Sequence, residues 1–104
     1  LETVGAAYSR TADSQESRIA SDYVKTPVDT TVALAAGGGF FYQLYKYKND
    51  KLDSFSSWIK CEGTIEIAAE EFSGFAIKIR KNNYGKWTSD DIAAFAKTVT
   101  IESA

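Results

Sequence analysis

The chain has 104 residues and a formal net charge of −2, and 44% of its residues are hydrophobic and 25% charged. These values are typical of one globular domain, and the weak negative charge argues against a nucleic-acid partner. The sequence contains no His and a single Cys, Cys61. That composition excludes catalysis by a Ser–His or Cys–His pair, an internal disulfide and a zinc site built from several thiolates.

The residue counts also set expectations about the parent protein and the surface. No Met is present, so we expect the chain to be a segment of a larger polypeptide whose signal peptide, if it has one, lies elsewhere. No apolar run approaches the roughly 18 residues that span a bilayer, so no membrane partner is expected. The six Tyr, six Phe and two Trp exceed what so small a core needs, so part of these rings are expected at the surface.

The N-terminal third alternates between short strand signals and residues that interrupt strands. Residues 1–17 predict an edge strand followed by a loop, and residues 18–24 predict a short strand that stops before Pro27, which has no N–H to donate. Residues 30–34 alternate between polar and apolar side chains and predict the next strand. The three consecutive glycines at 37–39 predict a hinge or a turn, because glycine adopts positive φ without penalty.

The strongest strand signal follows at residues 40–48. Residues 49–51 have the composition of a turn, and residues 52–60 return as the hairpin partner. Residues 64–67 alternate again. In residues 75–80 the apolar side chains fall on one face and the basic ones on the other, which is typical of a half-buried strand.

One helix is predicted near the C-terminus. Thr88 and Asp91 have the spacing of a capping box, since the Thr hydroxyl can accept a hydrogen bond from the amide three residues on. The helix is expected over residues 89–96, with Ile92 and Phe95 facing inward, and residues 98–101 form the closing strand.

Seven or eight short strands with turns between them and one short helix predict an all-β fold. The expected architecture is an antiparallel, jelly-roll-like β-sandwich. Residues 1–104 are expected to form a single module of a larger protein.

Acidic pairs are the catalytic groups that the composition leaves open, as in glycoside hydrolysis, but solvated surface charge explains them better. We therefore expect a protein that is not an enzyme and needs no cofactor. Asn49, Asp50 and Asp53 have oxygen atoms suited to calcium, so a structural calcium ion is an alternative to simple turn formation. Cys61 is expected to be a small core or edge residue and not a reactive thiol, because no cation at a helix start flanks it to stabilise a thiolate.

The strand at residues 40–48 has two faces, because side chains alternate along a strand. The face that opens with an unbroken apolar series is assigned to the core and carries Phe40, Tyr42, Leu44, Lys46 and Lys48. The other face carries Phe41, Gln43, Tyr45 and Tyr47. Rings on alternate positions lie about 6.6 Å apart and form a flat platform on which a sugar ring can stack. The alternative is that these rings cover neighbouring strands.

A second candidate site is the loop before the helix. Tyr84 and Trp87 would present rings there, with Asn82 and Asn83 as hydrogen-bonding partners. The alternative for Trp87 is packing ahead of the helix cap. Trp58 has a similar choice between the core and a ligand contact, and the core is favoured.

Basic residues could add a third element to the site. Arg80, Lys46 and Lys60, with Lys48 and Lys81, would form a basic patch if they cluster. Such a patch would favour a uronic-acid polymer, because Arg can hold a carboxylate at two oxygens. Solvated strand ends are the favoured alternative.

Five stretches carry a resemblance to a known type of module. The residues in order are Arg18-Ile19-x-Ser21-x-x-Val24, Leu44-Tyr45-x-Tyr47, Trp58, Phe75-x-Ile77-x-Ile79-Arg80-Lys81-Asn82 and Thr88-x-x-Asp91-Ile92. They resemble β-sandwich carbohydrate-binding modules of Gram-positive gut bacteria and their phages, which are attached to polysaccharide-degrading enzymes, surface proteins and tail proteins. The resemblance covers most of the chain from Arg18 to Ile101 and supports the fold and the setting more than the ligand.

The expected function is therefore a non-catalytic carbohydrate-binding module in an extracellular protein. Binding to polysaccharide would tether an appended enzyme, as in a cellulosome, and raise its effective concentration. The alternative is a structural or protein-interaction module of a bacterial surface adhesin or a phage tail protein.

Overall fold

The computed structural model describes residues 2–12 and 16–104. The middle of the predicted N-terminal loop, residues 13–15, and Leu1 lie outside the described residues. The described parts of the chain form nine strands and one helix. The strands are β1 (Glu2–Thr3), β2 (Tyr8–Arg10), β3 (Arg18–Ser21), β4 (Val24–Lys25), β5 (Thr30–Lys48), β6 (Lys51–Phe55), β7 (Ile59–Ile67), β8 (Gly74–Lys81) and β9 (Val99–Ser103), and the helix is α1 (Ser89–Ala96).

The long strand β5 organises the sheet. Strands β6 and β7 pair antiparallel with one edge of β5, and β8 and β9 pair antiparallel with the other. From β8 the sheet continues through β3 to β2, while β1 extends it beyond β9. The result is one connected antiparallel sheet in which every described strand takes part.

The glycines at 37–39 bend β5 instead of ending it. The pairing with β7 shifts register between Leu34 and Gly37 and again between Gly37 and Phe41, and Gly37 has a φ of +82°. Small residues without bulky side chains allow a strand to bulge and bend without breaking. The predicted hinge is therefore confirmed as a bend, but it lies inside one strand of 19 residues.

The bend curls the sheet around a single core. Buried side chains from the first half of β5 and from β9 meet those from the second half of β5, from β3 and from β8. The principal ones are Val32, Leu34, Ile101, Tyr42, Leu44, Ile19, Phe75, Ile77 and Ile79. The prediction of a mostly β, antiparallel fold with one short helix is confirmed, and its form is a curled, half-barrel-like sheet.

The hairpin turn that closes β5 against β6 is confirmed at its predicted place. Asn49 and Asp50 have positive φ values of 51° and 61°, which is the geometry of a two-residue hairpin loop that matches the twist of the strands. The returning arm is split, since β6 ends at Phe55 and β7 begins at Ile59.

The helix prediction is confirmed with its bounds. The Thr88 hydroxyl accepts a hydrogen bond of 3.1 Å from the amide of Asp91, and the Asp91 carboxylate accepts one of 3.2 Å from the amide of Thr88. The same carboxylate is 2.6 Å from the Lys81 ammonium. Hydrogen bonding to Lys81 and to the Thr88 backbone lowers the pKa of Asp91 below its ordinary value of 3.8.

This capping carboxylate predicts an acid-dependent loss of stability. Because the pKa of Asp91 is lower in the folded protein, its contribution is complete above the ordinary value of 3.8 and is lost as the pH falls through the folded value. We expect Asp91→Asn to reduce the difference between the free energies of unfolding at neutral pH and near pH 3. Urea unfolding followed by circular dichroism measures the free energy of unfolding at each of the two pH values.

The control is Asp90→Asn, which removes the same charge from the same turn of the helix. This variant should keep the wild-type pH dependence more closely. Equal pH dependence in wild type and Asp91→Asn would contradict the prediction.

Candidate functional site

The predicted two faces of β5 are present. Tyr42 and Leu44 are buried, and Phe40 packs against the core beside them. Alternate residues point to the opposite side of the sheet, away from the core, which we call the outer face. Strand β8 contributes to this face through residues paired in register with those of β5. The outer face carries Phe41, Gln43, Tyr45, Tyr47, Lys78 and Arg80.

Two stacked rings lie on the outer face. Tyr45 and Phe55 have ring centroids 5.2 Å apart and planes inclined by 19°, and we call them the ring pair. Phe55 is 59% exposed. The Lys78 ammonium lies 5.1 Å from the centroid of the Tyr45 ring, so the two rings and the cation form a layered stack whose exposed member is Phe55.

Gln43 positions the ring pair. Its amide oxygen accepts a hydrogen bond of 3.2 Å from the Tyr45 hydroxyl, and its amide nitrogen donates one of 3.1 Å to the carbonyl of Ser56. These contacts join β5 to the segment after β6 and hold Tyr45 in one orientation. Gln43, predicted as a ligand contact, therefore has both its oxygen and its nitrogen engaged within the protein.

Tyr47 lies beside the ring pair, next to a shallow depression. Its ring packs against Tyr23 at a centroid distance of 4.9 Å. The depression has a volume of about 240 Å³ and is lined by Ala20, Ser21, Tyr45, Tyr47, Ala76, Ile77 and Lys78.

Asp50, one of the three candidate calcium ligands, is hydrogen-bonded within the protein. The Asp50 carboxylate accepts a hydrogen bond of 2.7 Å from the Tyr23 hydroxyl, and the Asp50 amide donates one of 2.9 Å to Ser73. Within residues 2–12 and 16–104, no group of three His, Cys, Asp or Glu residues could hold a metal ion. The Asn49-Asp50 pair is explained by the turn it forms.

A second cluster surrounds the Arg80 guanidinium, which lies near the centroids of the Phe41 ring (4.4 Å), the Tyr84 ring (4.3 Å) and the Trp58 ring (5.2 Å). The guanidinium of Arg18 lies 5.4 Å from the same Trp58 ring. Trp58 is only partly buried and contacts the outer face, so the favoured placement of this ring in the core is wrong. We call these five residues the guanidinium cluster. Because Arg80 and Lys78 alternate along β8, the cluster and the ring pair share the outer face and lie next to each other.

The structure separates the residues of the predicted loop site. Trp87 is 2% exposed, and its ring packs against Phe40 and Phe95 at centroid distances of 5.6 and 5.7 Å. Its indole N–H donates a hydrogen bond to the carbonyl of Ser17. A ring buried in this way cannot stack on a ligand, so the packing alternative describes Trp87 and only Tyr84, which is 58% exposed, reaches the outer face.

The two asparagines of that loop have different roles. The side-chain oxygen of Asn83 accepts a hydrogen bond of 2.9 Å from the Gly85 amide and so shapes the loop. Asn82 is exposed, and its backbone amide donates to the carbonyl of Gly39.

The predicted basic patch is also divided. Lys46 and Lys48 lie over the ring of Phe72, at 4.8 and 5.5 Å from its centroid, and not with Arg80. Lys81 pairs with Asp91. Lys60 stays with Arg80, because both are paired in register with Phe41.

Cys61 is a core residue, as predicted. It is fully buried, and this burial raises the pKa of its thiol to about 12. The thiol is therefore protonated at neutral pH and is a poor nucleophile.

Three residues of the outer face were missed as site residues: Arg18, Phe41 and Phe55. A simple count outward from the Asn49-Asp50 turn places Ser54 opposite Tyr45, but a β-bulge between Lys46 and Tyr47 shifts the register and brings Phe55 there. The pairing of Arg18 with Arg80 joins strands that are distant in sequence, and no local pattern signals it.

Comparisons with models of known protein families, with curated proteins and with solved structures found no match to this chain. Among the described residues, the single helix is too short and too polar to cross a membrane.

Proposed function

We propose that this chain is a non-catalytic carbohydrate-binding module whose binding surface is the outer face. The observation that carries the proposal is the ring pair, in which an exposed Phe55 ring is stacked on a Tyr45 ring that Gln43 holds in place. Contact of an aromatic ring with water is unfavourable, because covering a fully exposed ring contributes about 1.5–3 kcal/mol of hydrophobic stabilisation.

A sugar ring is suited to this surface. One face of a pyranose carries C–H groups that can pack on the Phe55 ring, and its hydroxyl groups point outward around the rim. Lys78 and Tyr47 line the depression beside the ring pair and would offer an ammonium and a hydroxyl group to that rim. Binding of this kind needs no chemical step and is consistent with a chain that lacks His.

The setting proposed for the module follows from its resemblance to accessory modules. It would belong to a larger secreted or cell-surface protein and hold an appended enzyme on its polysaccharide substrate, which raises the local enzyme concentration. The resemblance implies a β-sandwich, and we propose that the two halves of the curled sheet are its layers. The single core filled from both halves supports this proposal.

A protein-interaction module of an adhesin or phage tail is the second candidate. The observation that favours it is the exposure of Leu52 and Phe55, at 51% and 59%, on the outer edge of the sheet. A protein partner could cover both apolar side chains, whereas a sugar would stack on Phe55 alone.

The test is affinity gel electrophoresis of the module in gels that contain soluble polysaccharides, namely β-glucan, xylan, pectin and alginate. At least one of them is expected to retard the module, and Phe55→Ala is expected to weaken that retention about tenfold, because roughly 1.4 kcal/mol of stacking is lost. Phe55→Ala should remain folded, since the ring is mostly exposed.

Val28→Ala is the matched control, because Val28 is an exposed apolar residue, 41% accessible, in the loop between β4 and β5. It should bind as the wild type does. Lack of retardation by every polysaccharide would reject the carbohydrate proposal and favour the protein-interaction candidate.

A further inference from the structure

Neighbouring strands place basic side chains in one row of the outer face. Arg18 is paired in register with Arg80. Phe41 is paired with Arg80 on one side and with Lys60 on the other. Residues paired in register on an antiparallel sheet point to the same face, with Cβ atoms about 4.5–5.5 Å apart. Arg18 and Arg80 are therefore direct neighbours, and Phe41 lies between Arg80 and Lys60.

Among the described residues, no carboxylate forms an ion pair with this row. The ion pair of the described residues joins Lys81 to Asp91, and neither residue belongs to the row. Like charges placed opposite one another on a sheet destabilise it. The row is thus arranged for a negative charge that the described part of the chain does not supply.

The hydrogen-bond donors of the row point to the same conclusion. Arg80 is 9% exposed, and its guanidinium makes one hydrogen bond within the described residues, 3.2 Å from Nη1 to the carbonyl of Lys81. The Nε atoms of both Arg80 and Arg18 are buried and have no hydrogen-bond partner. A buried donor without an acceptor is unfavourable, more so when it is charged.

The aromatic rings around Arg80 do not fill this need. They attract the cation through their π faces, and the Phe41 and Tyr84 centroids lie 4.4 and 4.3 Å from its central carbon. They offer no oxygen lone pair to the N–H bonds, which lie in the plane of the guanidinium. An acceptor with two oxygen atoms and a negative charge would satisfy both the charge and the donors.

We infer that the outer face binds a polysaccharide whose sugar rings carry carboxylate groups, and that Arg18 and Arg80 hold the carboxylate. This inference rests on the proposed carbohydrate-binding function and names the class of its ligand. The carboxylate accepts hydrogen bonds from the Arg fork, Lys60 adds charge at the open end of the row, and the neighbouring sugar ring stacks on the ring pair.

The experiment compares each acidic polymer with its own methyl ester, so that the charge changes while the sugar backbone stays the same. Polygalacturonate, alginate and hyaluronan are the probes, and binding is measured by affinity electrophoresis and isothermal titration calorimetry on the wild-type chain. At least one acid form is expected to bind at least tenfold more tightly than its ester. Raising NaCl from about 50 mM to about 500 mM should weaken that binding through screening.

Variants of the row test the residues. Arg18→Gln is expected to weaken binding of the acid form at least tenfold and binding of the ester by a much smaller factor. Arg80→Lys keeps the charge but loses the fork, so it should weaken binding even though the net charge is unaltered. Lys97→Gln removes one exposed positive charge at the end of α1 and is the control for charge alone. If substitution of the more buried Arg80 impairs folding, the Arg18 variant still tests whether the row binds the carboxylate.

The outcomes separate this inference from the proposed function. If a neutral polysaccharide binds and the acid and ester forms bind equally, the carbohydrate proposal stands and the inference is overturned. Equal effects of Arg18→Gln and Lys97→Gln on the acid form would also overturn it. If no polysaccharide binds, both proposals fail.

Discussion

Trp87→Ala is expected to lower the free energy of unfolding by about 3–5 kcal/mol, the usual loss for a large buried ring. Trp87 is 2% exposed, packs against Phe40 and Phe95, and joins the segment before α1 to the segment before β3 through its hydrogen bond to Ser17. A domain of this size has a total stability of about 5–15 kcal/mol, so the variant should be at or near the limit of folding. Urea unfolding followed by far-ultraviolet circular dichroism measures the change without depending on tryptophan fluorescence.

Trp58→Ala is the matched control, because it removes the same side chain from the outer face. Trp58 is partly exposed and contacts the guanidinium groups of Arg18 and Arg80. Its loss should cost about 1–2 kcal/mol, the strength of partly desolvated cation–π contacts. Equal destabilisation by the two variants would contradict the assignment of Trp87 to the core.

Gly74→Ala is expected to destabilise the protein by about 1–3 kcal/mol, as overpacking of a tight site does. A Cβ atom at Gly74 would lie 2.5 Å from the backbone carbonyl oxygen of Val24 and would also meet the ring of Tyr23. The Tyr23 side chain can move, but the Val24 carbonyl belongs to β4, which pairs with β8 at this position. Accommodation therefore requires a shift of the backbone, and the urea midpoint should fall.

The chain provides a control in Gly39, where an added Cβ would meet nothing within 4 Å. Gly39→Ala should be neutral or stabilise slightly, by up to about 1 kcal/mol, because it restricts the unfolded chain. A combined Tyr23→Ala and Gly74→Ala variant should remain destabilised, since the carbonyl clash persists. Full recovery in the combined variant would show that the ring, and not the backbone, is the obstacle.

The Gly74→Ala variant also bears on the proposed site. Tyr23 packs on Tyr47 of the outer face, and Gly74 is paired in register with Tyr47. A backbone shift at Gly74 would therefore move the rim of the depression beside the ring pair. Reduced polysaccharide binding by a folded Gly74→Ala variant is expected on this ground.

Features that depend on neighbours in the sequence were predictable. The faces of β5 and β8 follow from the alternation of side chains along a strand. The capping box of α1 and the two-residue turn at Asn49 and Asp50 follow from short-range hydrogen bonds and backbone preferences. Cys61 was predicted as a core or edge residue, and it is buried in the core.

Features that depend on register were not predictable. The opposition of Phe55 to Tyr45 results from one bulge, which moves every later pairing by one residue. The burial of Trp87 depends on where α1 and the second half of β5 meet, since Phe40 and Phe95 come from these two elements. The sequence patterns left Trp87 open between core and ligand contact and gave no prediction for Phe55.

The sequence by itself determined the class of fold, the strand faces and the helix, because each rests on the period of side chains or on contacts within a few residues. Only the tertiary structure decided that the strands form one sheet curled at the glycines of β5, and that Arg18 and Arg80 stand together on its outer face. Strand pairing brings distant residues together through backbone hydrogen bonds, which every residue except proline can make. Because these bonds do not depend on the side chains, the sequence contains little information about which strands pair and in which register.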